Sequence, residues 1–295
     1  MKTAKSAGKI LTAAGAAAVL GFVLSAQQAQ AVALSDLPDI SLLTPYATFG
    51  NFLNDNNVTV DGDVGIGNGG KLQLEAPSSI NGNLFLGIGA TAGGGGFPGN
   101  VSGSITTGVD FTAAANQLQS ASTSLAGLTP NVTLGAVTTG QSFGTINGVA
   151  DVFVVNVSSI ALGSGQNISF SGDAGDVLVL NVSGDVDMTG DAAISALSQA
   201  SHVLLNLTTS GTLGNVAHVG NIINGTTLIP DATYAEFHSV NGAIFGGLGQ
   251  IKLMSGAKVE SVPFQPPTVP DAGSTMLLLS MGLGCLGVAK RKLIS

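Results

Sequence analysis

The sequence predicts a mainly β protein, a right-handed β-solenoid with one amphipathic helix packed along its flank. Three observations predict this: a recurring glycine-centred phrase, short β-branched runs bounded by turn residues, and a composition suited to thin layers. The chain of 295 residues contains 43 glycines, one cysteine and no tryptophan. Its fold must therefore depend on burial and backbone hydrogen bonds, because no disulfide can form within the chain.

Five copies of the phrase apolar-x-Gly-x-apolar indicate a repeat, and the first three begin 20 and 21 residues apart. That interval is the length of one solenoid coil, in which each turn stacks its strands on the previous turn. The later copies are spaced irregularly, which favours lengthened or inserted coils over a tandem array. The copies begin at Val60, Ile80, Val101, Val182 and Val240.

The runs between these phrases are typical of strands, because they are short, β-branched and bounded by Gly, Asn or Asp. In the run 176–181 apolar residues occupy both parities, so we expect this strand to be buried on both faces. The predicted strands are Val152–Val157, Asn167–Phe170, Val177–Val182, Val203–Leu207, Asn221–Ile223 and Ile251–Met254.

One segment, Asp110–Leu128, has helical periodicity instead. Its larger apolar residues are Phe111, Leu118, Leu125 and Leu128, at spacings of three and seven. This pattern predicts an amphipathic helix with Asp110 as its N-cap and Gly127 near its end. We expect the helix to cover a hydrophobic face of the solenoid.

The N-terminus is typical of a secretory signal peptide. Three lysines precede the apolar run 10–24, and the small residues Ala29 and Ala31 form a cleavage site after residue 31. An N-terminal transmembrane helix is the alternative, but the run is short and rich in Ala and Gly. Residues 1–31 are therefore predicted to be a signal helix that is removed by the secretion machinery.

The C-terminus combines a small polar motif, the apolar stretch Met276–Ala289 and a basic stop. The 14 uncharged residues of that stretch would cover roughly 21 Å as a helix, against about 30 Å of hydrocarbon. This predicts a hydrophobic helix that anchors the chain only transiently, with its basic end in the cytoplasm. The motif is Val269, Pro270, Asp271, Ala272, Gly273, Ser274 and Thr275, and the basic stop is Lys290, Arg291 and Lys292.

This tail resembles the PEP-CTERM sorting tails, in the variant named VPDSG-CTERM, with Ala272 where the name has Ser. The resemblance implies processing by an exosortase-type membrane enzyme and a final place at the cell surface or outside the cell. The predicted domain order is a signal peptide at 1–31, a linker at 32–46, a solenoid at 47–264, a proline-rich linker at 265–268 and the sorting signal at 269–295.

Charge excludes nucleic acid as a partner. Residues 32–270 contain 3 Lys and 16 Asp or Glu, so the net charge of the body is 3 − 16 = −13. Polyanions would be repelled by such a body. Such acidity suits solubility outside a cell or cation-mediated association with an anionic matrix, so an extracellular polysaccharide or matrix component is the candidate partner.

Candidate chemical sites are few. His202, His218 and His238 are scattered and read as structural residues. Asp61 and Asp63, with Asp185 and Asp187, stand in Gly-rich turns and are the candidates for Ca²⁺, although Asp also favours such turns. The pattern provides no catalytic residues and no cofactor. Eight Asn-x-Ser/Thr triplets, at Asn57, Asn100, Asn131, Asn156, Asn167, Asn181, Asn206 and Asn224, are interpreted as architecture at strand-to-turn junctions.

The order of six phrases resembles the choice-of-anchor A domain of bacterial surface proteins. The resemblance implies a non-enzymatic adhesive or structural protein of the cell surface or extracellular matrix, associated with biofilm or exopolysaccharide. The solenoid-plus-helix plan also resembles ice-binding proteins with a discontinuous solenoid, so ice binding is the first alternative. A polysaccharide-acting β-helix enzyme is the second. The phrases begin at Asp110, Asp151, Val179, Val203, Leu228 and Asn241.

Overall fold

The computed structural model describes residues 40–44, 51–54, 57–144, 152–173, 176–196, 203–208, 212–214, 222–246 and 249–260. All strand pairs between these residues are parallel, and they stack into three faces of a β-solenoid. This confirms the predicted fold class. The right-handed sense stays a prediction, and both predicted terminal helices lie outside the described residues.

Face one is the longest of the three. It contains β1 (Ile40–Thr44), β4 (Asp63–Ile66), β7 (Leu84–Gly87), β9 (Ile105–Val109), β10 (Val132–Val137), the first part of β12 (Val152–Leu162), β14 (Val177–Val182), β17 (Val203–Leu207), β20 (Thr226–Ile229) and β22 (Ile244–Gly246).

Face two follows face one in each coil. It contains β2 (Asn51–Asn54), β5 (Lys71–Gln73), β8 (Thr91–Gly93), the second part of β12, β15 (Val186–Met188), β18 (Thr212–Gly214) and the first parts of β21 (Tyr234–Asn241) and β23 (Gln250–Glu260).

Face three completes the coil. It contains β3 (Thr59–Asp61), β6 (Ser79–Asn81), β11 (Gln141–Phe143), β13 (Asn167–Phe170), β16 (Ala193–Ala196), β19 (Ile222–Asn224) and the second parts of β21 and β23.

The solenoid is discontinuous in sequence. We call the end of the solenoid at β9 the upper end and the end at β10 the lower end. Successive coils lead from β1 to β9, and α1 (Thr112–Ala126) then connects β9 to β10. The coils then climb again until β23 meets β2 and β3, with Glu260 beside Asp61. The later phrases are therefore irregularly spaced because the coils are reordered, and not because coils are inserted. In addition, the phrase that begins at Val182 lies at a different corner, between faces one and two.

The predicted N-terminal boundary of the domain is wrong. Strand β1 lies between β22 and β4 on face one, within the segment 32–46 that was predicted to be a linker. Its residues, Ile-Ser-Leu-Leu-Thr, are too few to carry a repeating phrase, and the partners that fix their conformation are supplied by β22, some 200 residues away.

Four of the five glycine-centred phrases form the corner between faces three and one. Here the coils approach so closely that a Cβ atom on Gly82 would lie 2.3 Å from the carbonyl oxygen of Gly62. Gly242 has φ +152°, and a Cβ there would lie 2.1 Å from the Gly225 carbonyl oxygen. Only glycine fits both the contact and the backbone conformation, which explains why the phrase recurs.

The interior is filled by aliphatic columns. On face three one column consists of single β-branched residues from successive coils, all buried, and it continues the core from one end of the solenoid towards the other. Each such residue contributes about 1.5–3 kcal/mol of burial free energy. The column is Ile168, Ile194, Ile223, Val240, Val259, Val60 and Ile80.

Helix α1 lies along face one, as predicted. Leu118, Ala121 and Leu125 pack with Val179, Leu204 and residues of three further strands in a second hydrophobic cluster. Strand β14 is consequently buried along its whole length, which confirms the prediction for this strand. The helix is shorter than predicted at both ends.

The helix N-terminus differs from the prediction. The N-cap is Phe111, which has no side-chain cap bond, and Asp110 stands one residue earlier. Its carboxylate accepts hydrogen bonds from the Thr112 N–H at 3.0 Å and hydroxyl at 2.7 Å. These bonds, with one from Asn68, lower the pKa of Asp110. Asp110 therefore accepts hydrogen bonds from the first residue of the helix, but it is not the N-cap.

Within the described part of the chain, no helix is long and apolar enough to cross a membrane. The stretch predicted to span it, Met276–Ala289, lies outside the described residues, as do the signal cleavage site and the sorting motif.

Candidate binding surface

Face three carries a continuous row of small polar side chains on its outer side. Every member except Ser142, which follows Gln141, comes directly after a buried aliphatic residue of the core column. It therefore points outward, because successive strand residues alternate. At about 4.8 Å per coil, eight coils extend the row over roughly 34 Å. We call this set the polar row: Ser142, Ser169, Ser195, Asn224, Asn241, Glu260, Asp61 and Asn81.

Hydrogen bonds between coils hold the polar row in place. The hydroxyls of Ser142 and Ser169 are 2.8 Å apart, and the Asn81 amide donates to Asp61 at 2.7 Å. The Asn241 amide likewise donates to Asn224 at 2.6 Å. All members are exposed or half-buried. The row is therefore ordered before any ligand arrives, and a ligand would lose little side-chain entropy on binding to it.

The side chain of Lys258 lies where the last coil, which contains β23, stacks on β3. The ammonium group of Lys258 lies 3.4 Å from the Asp61 carboxylate and also contacts Glu260. Hydrogen bonds to Glu260 and then Asp61 raise the pKa of Lys258. Since all three side chains are substantially exposed, this cluster contributes little stability. It does neutralise part of the negative charge of the polar row.

Face one contains a similar ladder, but helix α1 covers it. The Asn206 amide donates to Asn181 at 2.8 Å and to the Ser122 carbonyl at 3.0 Å. The Asn181 amide donates to Asn156 at 3.0 Å and to the Leu125 carbonyl at 2.9 Å. These amides add hydrogen bonds to two carbonyls in the last turns of the helix, of which that of Leu125 also accepts from the Leu128 N–H. This asparagine ladder therefore fastens the helix to the sheet.

A shallow cleft of about 330 Å³ opens beside the end of α1. Its volume is at the lower limit for small-molecule sites. Two of its lining hydroxyls are already used, because Ser183 and Thr208 donate to the carbonyls of Val157 and Val182. The remaining lining residues are Ala126, Thr133, Leu134, Asn156, Val157, Ser158 and Asn181.

The calcium candidates are placed in two separate corners. Asp61 and Asp63 accept hydrogen bonds from Asn81 and Asn83 of the next coil, while Asp185 and Asp187 flank the start of β15. The described residues contain no group of three or more His, Cys, Asp or Glu side chains that could hold a metal ion. Calcium binding stays a prediction, and the visible role of Asp61 and Asp63 is to join coils.

Among the described residues, Asp191 and His238 also have shifted pKa values. Hydrogen bonds from Ser164 and Gly165 lower the pKa of Asp191, whereas a general acid needs a raised pKa. Burial lowers the pKa of His238, whose Nδ1 lies 3.1 Å from the Ser239 hydroxyl. His202 and His218 lie outside the described residues.

The asparagines of the Asn-x-Ser/Thr triplets serve the architecture, as interpreted from sequence. Asn57 has φ 64°, Asn131 accepts from the Val154 N–H at 2.7 Å and Asn167 from the Ala193 N–H at 3.1 Å. Asn100 donates to the Ser78 carbonyl at 2.8 Å. The remaining four belong to the polar row or to the asparagine ladder.

Sequence reasoning missed the polar row. A signal was present, because a β-branched residue followed by Ser, Asn or Asp recurs in Ile168-Ser169, Ile194-Ser195, Ile223-Asn224, Val60-Asp61 and Ile80-Asn81. The dipeptides are too short and too unevenly spaced to be aligned without the coil order.

Comparisons with known proteins support both the fold and the tail. A family model described as an ice-binding-like adhesive domain matches residues 13–249, and the VPDSG-CTERM motif matches residues 268–293. The tail supports export to the cell surface and implies processing by an exosortase-type enzyme. The resemblance to choice-of-anchor A stays a prediction. A search of curated proteins finds no significant match.

Solved structures share the architecture. A glycosylated ice-binding protein from an Arctic yeast is 14% identical, with a TM-score of 0.52, covering 81% of this chain and 97% of its own. An ice-binding protein from the Antarctic ascomycete Antarctomyces psychrotrophicus is 20% identical, with a TM-score of 0.46, covering 78% and 98%. At this identity the likeness shows the fold alone.

Proposed function

Because the chain belongs to the family of ice-binding-like adhesive domains, we propose that it is a secreted, non-enzymatic adhesin that binds an extended polysaccharide or matrix polymer through face three. The observation that carries the proposal is the polar row. It presents hydroxyl, amide and carboxylate groups in register along one exposed, continuous sheet.

The chemistry of the row suits a hydroxyl-rich polymer. Hydroxyl and amide groups both donate and accept hydrogen bonds, so they match sugar hydroxyls in either role. A row of roughly 34 Å can contact several sugar units at once, and many weak contacts then add to useful avidity. Because the side chains of the polar row are short, a linear polymer can lie close to the sheet.

The binding test uses the body, residues 32–268, on an array of purified polysaccharides and matrix components. We expect retention on at least one linear polymer and release by the same polymer in solution. Absence of retention on every polymer, while the body remains folded by circular dichroism, would contradict the proposal.

Ice binding is the second candidate, and the family description favours it together with the long, regular sheet of face three. Against it, Thr226 and Thr227 are buried, and the exposed pair Thr106 and Thr107 lies at the upper end of face one. In the described residues these two Thr pairs therefore form no ladder on face three. A thermal-hysteresis assay on residues 32–268 decides between the candidates, because only ice binding predicts activity.

Sorting is part of the proposed function. We propose that the secretion machinery removes residues 1–31, that Met276–Ala289 holds the chain in the membrane briefly, and that an exosortase-type enzyme then releases it at the cell surface. Deletion of residues 269–295 should move the protein from the cell surface to the medium. Unchanged surface retention would contradict this.

A further inference from the structure

The two ends of the solenoid both expose an unpaired strand edge. Among the described strands, β9 at the upper end pairs only with β7, and β10 at the lower end pairs only with β12. Such edges recruit further strands unless charges, prolines or bulges protect them. The question is therefore whether these ends are protected.

Charge does not protect them. The body carries 16 acidic and 3 basic residues, yet no charged residue occurs between Glu75 and Asp110, or between Asp110 and Asp151. These two intervals contain the uppermost and lowermost coils, including β8, β9, β10 and β11. Among the described residues, the charges of the body therefore lie on the coils between them, apart from Asp110 beside α1. Two copies can approach end to end without the repulsion that their sides would experience.

The two edges are also complementary in sequence. β9 reads Ile-Thr-Thr-Gly-Val and β10 reads Val-Thr-Leu-Gly-Ala-Val. Register pairing places Ile105 and Val132 at the two ends of a single column of face one, which runs through Leu84, Val64, Leu42, Ile244, Thr227, Leu205, Leu180 and Val155.

Stacking β10 of one copy on β9 of another would continue the three columns that end at Ile105, Thr106 and Thr107, before the register shift in β9. Ile105 would meet Val132, Thr106 would meet Thr133, and Thr107 would meet Leu134. Side chains of similar size on directly opposed positions stabilise a sheet. Ile88 and Ile105, which are 55% and 38% exposed, both lie at the upper end and would lose exposure.

The hydrogen-bonding groups fit the same arrangement. The N–H groups of Val64, Leu84 and Thr227 all donate towards the upper end of the solenoid, to Asn83, Ser104 and Ala243. Ile105 continues this column, so its N–H points beyond the upper edge.

We propose that the exported protein assembles head to tail, with the β10 edge of one copy stacked on the β9 edge of the next. The contact is heterologous, so it propagates into an open filament and does not close into a dimer. Ten strands of face one per copy give an axial repeat of roughly 48 Å. The polar rows of successive copies then lie end to end as one longer surface.

A charge-swap series tests the proposal on the exported chain, residues 32–295, in detergent. Sedimentation velocity over a range of concentrations, with electron micrographs, is expected to show species that grow with concentration and a repeat of roughly 48 Å. In T106K/T133K, opposed lysines should raise the concentration needed for assembly at least about tenfold. In T106K/T133E, the opposed residues carry opposite charges and assembly should return.

The control is Ala161→Lys, an exposed position on face two, which should assemble like the parent chain. Thermal unfolding of each variant identifies loss of fold. Monomers at all concentrations up to the solubility limit would overturn the proposal. Dimers that never lengthen would also overturn it. So would assembly that T106K/T133K leaves unchanged, because the association would then be due to the hydrophobic tail. Polysaccharide binding is measured on the same variants. A variant that stays monomeric but still binds the polymer would show that assembly and the proposed binding function are independent.

Discussion

The asparagine ladder of face one and the polar row of face three are built alike and used differently. Both stack polar side chains from successive coils at one register position, and both are linked by coil-to-coil hydrogen bonds. Helix α1 covers the ladder, so its amides bind the helix backbone. The row has no such cover in the described residues and faces solvent. A polar ladder therefore stabilises the fold or forms a surface according to what lies over it.

Removing the apolar contact that holds the helix should have the largest effect. Leu118 is fully buried between α1 and face one, and Leu118→Ala is expected to destabilise the fold by about 3 kcal/mol. Urea unfolding followed by circular dichroism measures the loss. The half-buried Leu128→Ala is the matched control and should cost less. A loss below about 1 kcal/mol at Leu118 would show that the helix is not an integral part of the core.

Breaking the asparagine ladder should have the next largest effect. Asn206→Ala leaves the buried Ser122 hydroxyl and carbonyl without their partner, at a cost of about 2 kcal/mol. Asn81→Ala removes an exposed amide of the polar row and should cost about 0.5 kcal/mol or less. Equal losses in urea unfolding would remove the distinction between a covered and an open ladder.

The helix N-terminus should add a pH dependence. The folded pKa of Asp110 lies below its ordinary value of 3.8, so the ionised carboxylate stabilises the fold above that value. This contribution is lost as the pH falls through the folded pKa. Asp110→Asn should therefore be less stable than the parent at neutral pH, and the difference should shrink as the pH falls below 3.8. A difference that persists at the lower pH would assign the effect to packing.

The sequence predicted local structure better than the order of coils. The spacing of the phrases that begin at Val60, Ile80 and Val101 predicted the length of one coil, and Val177–Val182 was predicted to be a strand buried on both faces. The stacking of β23 on β3 could not be predicted, since it joins Glu260 to Asp61 across about 200 residues. The polar row was missed for the same reason, because its members become neighbours only once the coils are ordered.

The most direct test of the binding surface places bulk on face three without adding charge. Ser169→Tyr with Ser195→Tyr obstructs the polar row, whereas Thr91→Tyr adds the same ring to exposed face two. On the polymer that retains the parent body, we expect the face-three variant to lose at least about tenfold in affinity, a free-energy change of about 1.4 kcal/mol. The face-two variant should bind like the parent. Equal binding by all three proteins, each with unchanged unfolding, would contradict the assignment of binding to face three.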